Sequence, residues 1–79
     1  MTLRLIKVRV LANSGRYSEA LENASTIDVE ALGSEDKMNY YDAMRTIYWQ
    51  IGDDKEISKY TDLYFDVYLE YYNGGAGGD

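Results

Sequence analysis

The sequence has no cysteine, no histidine and no proline among its 79 residues. Without cysteine there is no disulfide framework and no thiolate metal site. Without histidine the chain lacks the side chain that most often serves as a general base or a metal ligand. The absence of proline leaves long helices uninterrupted. These absences argue against an enzyme and leave a helical fold open.

Long apolar runs are also lacking. No segment approaches the ~18 apolar residues of a membrane span, and charges break up the apolar residues of the first nine positions, unlike a signal peptide. We therefore expect no membrane insertion and, by default, a cytoplasmic protein.

Charge is unevenly distributed along the chain, whose net charge is −6. Residues 1–16 contain no acid and four bases, which are Arg4, Lys7, Arg9 and Arg16. The other four bases accompany all fourteen acids, so residues 17–79 carry −10. An acidic chain argues against a nucleic-acid partner. We interpret the basic start as pairing with acidic helices of the same chain, with an anionic membrane or nucleic acid as the alternative.

The clustered carboxylates do not indicate a catalytic or metal-binding site. Glu35 and Asp36, and the group of Asp53, Asp54 and Glu56, fall at predicted helix starts, where acids cap free amides and stabilise the helix dipole. Neither cluster has the ligand spacing of a calcium loop. We therefore expect no catalytic residue, no metal and no cofactor.

Two stretches of the sequence match at a spacing of 37 residues. They are Gly15-Arg16-Tyr17-Ser18-Glu19-Ala20 and Gly52-Asp53-Asp54-Lys55-Glu56-Ile57, and each follows one apolar segment and precedes another. A period between about 20 and 50 residues is typical of stacked repeats.

The pattern of apolar residues predicts an all-α domain over residues 1–73. Residues 3–12 fit either a helix or a strand, but the glycine that follows favours a helix that ends there. Further helices are predicted at 17–27, at 36–51 after a cap at Ser34, and at 54–72 after a cap at Asp53 or Asp54. They form two antiparallel hairpins, 2–27 and 35–72, before a flexible glycine-rich tail at 74–79.

Aligned at this offset, the two hairpins resemble tetratricopeptide repeats (TPR). Each hairpin keeps a different half of the family's sequence pattern. The second has the first-helix pattern Tyr41-x-x-Met44-Arg45-x-x-Tyr48, and the first has the turn and second helix, Gly15-Arg16-Tyr17-Ser18-Glu19-Ala20-x-x-x-Ala24. The match is degenerate, since the closing proline is missing and the period exceeds the usual 34 by three. A related two-helix repeat or a four-helix bundle is the alternative.

The resemblance implies that a peptide partner lies along an inner face made by the first helix of each hairpin. Its candidate positions are Arg9, Asn13, Asp42, Thr46, Trp49 and Gln50. Arg9 and Asn13 would hold a peptide carboxylate or backbone, and Trp49 would supply an apolar anchor. An ordinary solvated face is the alternative.

Tyrosine is abundant in this chain, which contains nine tyrosine residues. The last predicted helix has apolar residues on more faces than one neighbouring helix can cover. We expect it to dock against a further repeat, a partner or a second copy, in the last case as a two-fold homodimer. The residues expected to self-associate are Tyr64, Phe65, Tyr68, Leu69 and Tyr72.

The sequence thus predicts a protein-interaction or scaffold module, either part of a larger repeat array or self-associating. The alternative is a regulatory helical domain of a larger enzyme or transcription regulator.

Overall fold

A computed structural model describes residues 2–74 of the chain, and within them there are four α-helices and no strand. Helices α1 (Leu3–Asn13) and α2 (Tyr17–Ala24) pack together as the first hairpin, and α3 (Ser34–Ile51) and α4 (Asp54–Leu69) as the second. The all-α fold with two helical hairpins is confirmed. Of the predicted tail, residues 75–79 lie outside the described residues.

Residues 3–12 form a helix and not a strand. The Oγ1 atom of Thr2 accepts a hydrogen bond from the backbone N–H of Leu5 at 3.2 Å and so caps α1. Leu5 and Val8 are fully buried, whereas Leu3, Ile6 and Val10 on the other stripe of this helix are exposed.

Gly15 ends α1 through a left-handed backbone conformation, with φ at +79°. The N–H of Arg16 donates to the Leu11 carbonyl at 2.9 Å and that of Gly15 to the Ala12 carbonyl at 3.1 Å, which is a Schellman motif. Gly52 ends α3 in the same conformation. Asp53 then caps α4, since its Oδ1 atom accepts from the N–H of Glu56 at 3.2 Å. These sequence predictions are confirmed.

Replacing Gly15 with alanine is expected to lower the free energy of unfolding by about 1 kcal/mol. No atom lies within 4 Å of the added Cβ, so the cost comes from the positive φ alone. Gly15→Asn is the matched comparison, because asparagine accepts a positive φ more readily than alanine and should therefore cost less. Equal urea-unfolding midpoints for the two variants would contradict the role of Gly15.

Helix α2 is shorter than predicted, since it ends at Ala24 and not at Ile27. The hydroxyls of Ser25 and Thr26 donate to the carbonyls of Glu22 and Asn23, both at 2.7 Å. These side chains satisfy carbonyl groups that the next helical turn would otherwise use. Ile27 still packs against the core from outside the helix.

Two other boundaries also differ from the sequence prediction. Ser34 does not cap α3, because Gly33 occupies the cap position and Ser34 is already helical. The connection before it contains a short 3-10 helix, Val29–Ala31. At the other end α4 stops at Leu69 and continues as a π-helical turn, Glu70–Gly74, so the α-helix does not reach residue 72.

Helix α3 joins the two hairpins, because it packs against α1 and α2 as well as against α4. Its Ile47 side chain is fully buried between them. Ala20 and Ala24 of α2 are also covered almost completely, and their small side chains allow the helices to approach closely. The core consists of Leu5, Val8, Ala12, Ala20, Ala24, Tyr40, Tyr41, Ala43, Met44 and Ile47.

Candidate functional site

The predicted inner face lies where α1 and α3 run side by side. Arg9 and Asn13 of α1 meet Thr46 of α3 around a small cleft of about 30 Å³, which Ala12 and Ala43 also line. The structure therefore brings together three of the residues that the resemblance implied. The cleft is narrow enough to hold a single small group, such as a water molecule or a carboxylate oxygen.

Asp42 lies between two guanidinium groups on this face. Its Oδ2 atom is 3.9 Å from Nη1 of Arg9, and its Oδ1 atom accepts a hydrogen bond from Nη2 of Arg45 at 2.5 Å. Arg45 also lies over the ring of Tyr64, 5.1 Å from its centroid. Asp42 is thus engaged within the domain and holds the two arginines in place. Two positive charges against one negative charge leave this part of the face with a net positive charge.

Trp49 lines a wider groove between α3 and α4, with a volume of about 290 Å³. Arg45, Thr46, Ile57 and Thr61 complete its lining. Thr46 also borders the cleft at Arg9, so the groove and the cleft are adjacent. Trp49 is 69% exposed. Gln50 is exposed but lines neither depression.

The prediction of the inner face did not include Arg45, Ile57 and Thr61. Arg45 was assigned only to the repeat pattern, although a position four residues before Trp49 lies on the same side of the helix. Ile57 and Thr61 belong to the second helix of the hairpin, which the resemblance did not place at the inner face. Their spacing of four residues and their 37-residue offset from Ala20 and Ala24 were the available signals.

Four of the nine tyrosines pack inside the second hairpin. The Tyr48 and Tyr60 rings stack with centroids 5.9 Å apart and planes 7° apart, and Tyr41 lies 6.2 Å from Tyr60. Burial raises the pKa of Tyr40, Tyr41, Tyr48 and Tyr60 above the usual value of 10.0. These hydroxyls therefore remain protonated at neutral pH.

The C-terminal part of α4 and the π-helical turn after it carry further exposed aromatic residues. Phe65 is 56% exposed, and Tyr68, Leu69 and Tyr72 are also exposed. Tyr64 differs from the others, because it is half-buried and packs against the core. The rings of Tyr68 and Tyr72 lie 4.5 Å apart. This surface has no covering element among residues 2–74.

Within residues 2–74, no group of three or more acidic, histidine or cysteine side chains is arranged to hold a metal ion. No helix in this part of the chain is long and apolar enough to cross a membrane.

Comparison with known proteins adds one finding to this geometry. No curated protein and no solved structure matches the chain. The model of one family, described as the SusR N-terminal TPR domain, matches residues 1–74, which include both hairpins. The 37-residue offset, the glycine turns and the packing of α3 on both helices of the first hairpin agree with that match, and the chain belongs to the SusR N-terminal TPR domain family.

Proposed function

We propose that this TPR domain binds a peptide segment of a partner protein across the inner face and the Trp49 groove. TPR domains are helical repeat modules that generally serve in protein interactions. The observation that carries the proposal is the position of Trp49, which is exposed in a groove that Arg45 also lines and that adjoins the cleft at Arg9. Tryptophan and arginine are the residues most often dominant in binding energy at interfaces.

The groove and the cleft define the chemistry of the peptide. An apolar side chain would fill the space beside Trp49 and Ile57. A carboxylate, from an acidic side chain or the peptide terminus, would lie near Arg9 and Arg45, with Asn13 as a hydrogen-bond donor. The proposal assigns no catalytic role, no cofactor and no nucleic-acid partner to the domain.

Peptide selection tests this proposal. The chain is used to select from a displayed library of random peptides, and the affinity of the enriched peptides is measured by calorimetry. We expect an apolar residue and a nearby acid or free C-terminus in the selected peptides. Trp49→Ala should weaken binding by at least about 30-fold, which corresponds to roughly 2 kcal/mol. Arg9→Ala should weaken it by about tenfold.

Two matched variants serve as controls for these effects. Phe65→Ala removes another exposed aromatic residue that does not line the groove, and Arg16→Ala removes an exposed arginine at the turn between α1 and α2. Neither should change the affinity more than about twofold. Selected peptides that bind the Trp49→Ala and Phe65→Ala variants equally well would contradict the inner-face site.

The exposed end of α4 favours a second activity, which is self-association. Phe65, Tyr68, Leu69 and Tyr72 expose aromatic and aliphatic side chains next to one another. Contiguous apolar surface of this kind marks interaction sites. We propose that a second copy or a further repeat of a larger array covers it.

The alternative role is that of a regulatory domain in a larger enzyme or transcription regulator, and the family description, which places the domain at an N-terminus, is compatible with it.

A further inference from the structure

The internal repeat relates the open groove of the second hairpin to a buried surface of the first hairpin. Four residues of the first hairpin, whose two helices both pack against α3, are buried: Val8, Ala12, Ala20 and Ala24. Thirty-seven residues later in the sequence stand Arg45, Trp49, Ile57 and Thr61. These four residues line the open groove between α3 and α4. We call them the back face, and in the first hairpin the equivalent surface is covered by another hairpin.

The opposite end of the molecule has the complementary surface. Tyr40, Ala43 and Ile47 of α3 are buried in the core between the hairpins. Their equivalents 37 residues earlier are Leu3, Ile6 and Val10 of α1, which are 68%, 43% and 57% exposed. We call these three residues the front face. Ile6 and Val10 also border an open depression of about 390 Å³ with Lys7, Leu11 and Asn23.

The helices that carry the two faces differ in charge, since α1 is basic and α4 is acidic. Arg4 and Lys7 lie in α1 among the front-face residues, in a segment without acids. Helix α4 of the back face has four acids against two lysines. Phe65 and Tyr68 follow Thr61 at four and seven residues, so they extend the back face along the same side of α4.

We infer that a second copy of this chain docks head to tail, with its front face on the back face of the first. Its α1 would lie against α3 and α4 as α3 lies against α1 and α2 within one chain, so a second copy and a peptide would compete for the Trp49 groove. The inference rests on the proposed self-association through α4 and names the surface that α4 meets. A two-fold contact would instead bring two acidic α4 helices together, where like charges repel. A head-to-tail contact joins unlike surfaces and therefore continues beyond the dimer, into a ring or an open chain.

Two single substitutions block one face each and leave the other intact. Val10→Glu places a charge in the front face at an exposed position, and Thr61→Glu places one in the back face. In sedimentation equilibrium the unmodified chain should form species larger than a dimer at high micromolar concentration. Each variant alone should be monomeric. An equimolar mixture should form a one-to-one dimer and nothing larger, because one intact front face meets one intact back face.

The other outcomes overturn the inference in distinguishable ways. Circular dichroism first establishes that each variant is helical, and Phe65→Glu, at an exposed position, replaces Thr61→Glu if the latter unfolds. A wild-type species that stops at the dimer and survives Val10→Glu would show two-fold pairing of α4 and retain only the proposed self-association. A mixture that stays monomeric refutes head-to-tail docking. A wild-type chain that is monomeric throughout refutes self-association as well, while peptide binding at Arg9 remains separately measurable.

Discussion

Replacing Ile47 with alanine is expected to lower the free energy of unfolding by about 2–5 kcal/mol. The side chain is fully buried where α3 packs against the first hairpin and against α4. Its removal leaves a cavity that rigid helices on several sides cannot close. For a chain of this length the total stability is about 4–12 kcal/mol, so this one variant is expected to shift much of the population towards the unfolded state.

Ile51→Ala is the matched control for Ile47→Ala. Ile51 is the same residue type one turn later in α3, but it is 49% exposed. We expect its loss to cost less than about 1 kcal/mol. If Ile47→Ala does not fold, Ile47→Val should give about 0.5–1.5 kcal/mol. The measurement is the urea-unfolding free energy from circular dichroism, and equal losses at positions 47 and 51 would contradict the packing of α3.

The elements that could be predicted from the sequence depend on local rules. Gly15 and Gly52 mark helix ends because a left-handed backbone is almost restricted to glycine. Asp53 caps α4 because its side chain reaches an amide three residues ahead. The degenerate repeat then predicted which helices pair into hairpins.

The features that the sequence did not show depend on competing local bonds or on distant contacts. The apolar spacing suggested that α2 would continue to Ile27, but the Ser25 and Thr26 hydroxyls end it earlier. The π-helical turn after Leu69 has no periodic signal of its own. The approach of Arg9 to Asp42 links residues 33 positions apart and exists only once α1 lies beside α3.

The same distinction applies to the candidate site. Trp49 and Arg9 could be predicted as candidate site residues, because the repeat pattern assigns their positions to the inner face. Ile57 was not assigned to the inner face, and it departs from the first hairpin, which has Ala20 at the equivalent position 37 residues earlier. The structure gives a reason for the departure, because the position that is covered in the first hairpin is open in the second. A larger side chain at Ile57 therefore meets no neighbouring hairpin within residues 2–74.

Replacing Ala20 with leucine is expected to lower the free energy of unfolding by about 1–3 kcal/mol. Ala20 has no exposed surface and lies in the core between the hairpins. Three additional carbon atoms have no space there unless α2 moves away from its neighbours. At the equivalent position the second hairpin carries the large residue Ile57, which lines the groove. The size of side chain that this position tolerates thus depends on whether another hairpin covers it, and not on the repeat itself.

Ala31→Leu is the matched control for Ala20→Leu. Ala31 is exposed in the 3-10 helix between the hairpins, so a larger side chain there should change stability by no more than about 0.5 kcal/mol. Ile57→Ala provides the reverse comparison and should cost less than Ala20→Leu, since it reduces a partly exposed side chain without separating two helices. Urea melts of the three variants decide the matter. If Ala20→Leu is neutral, the hairpins are not closely packed at α2, and the equivalence between the covered and the open faces is wrong.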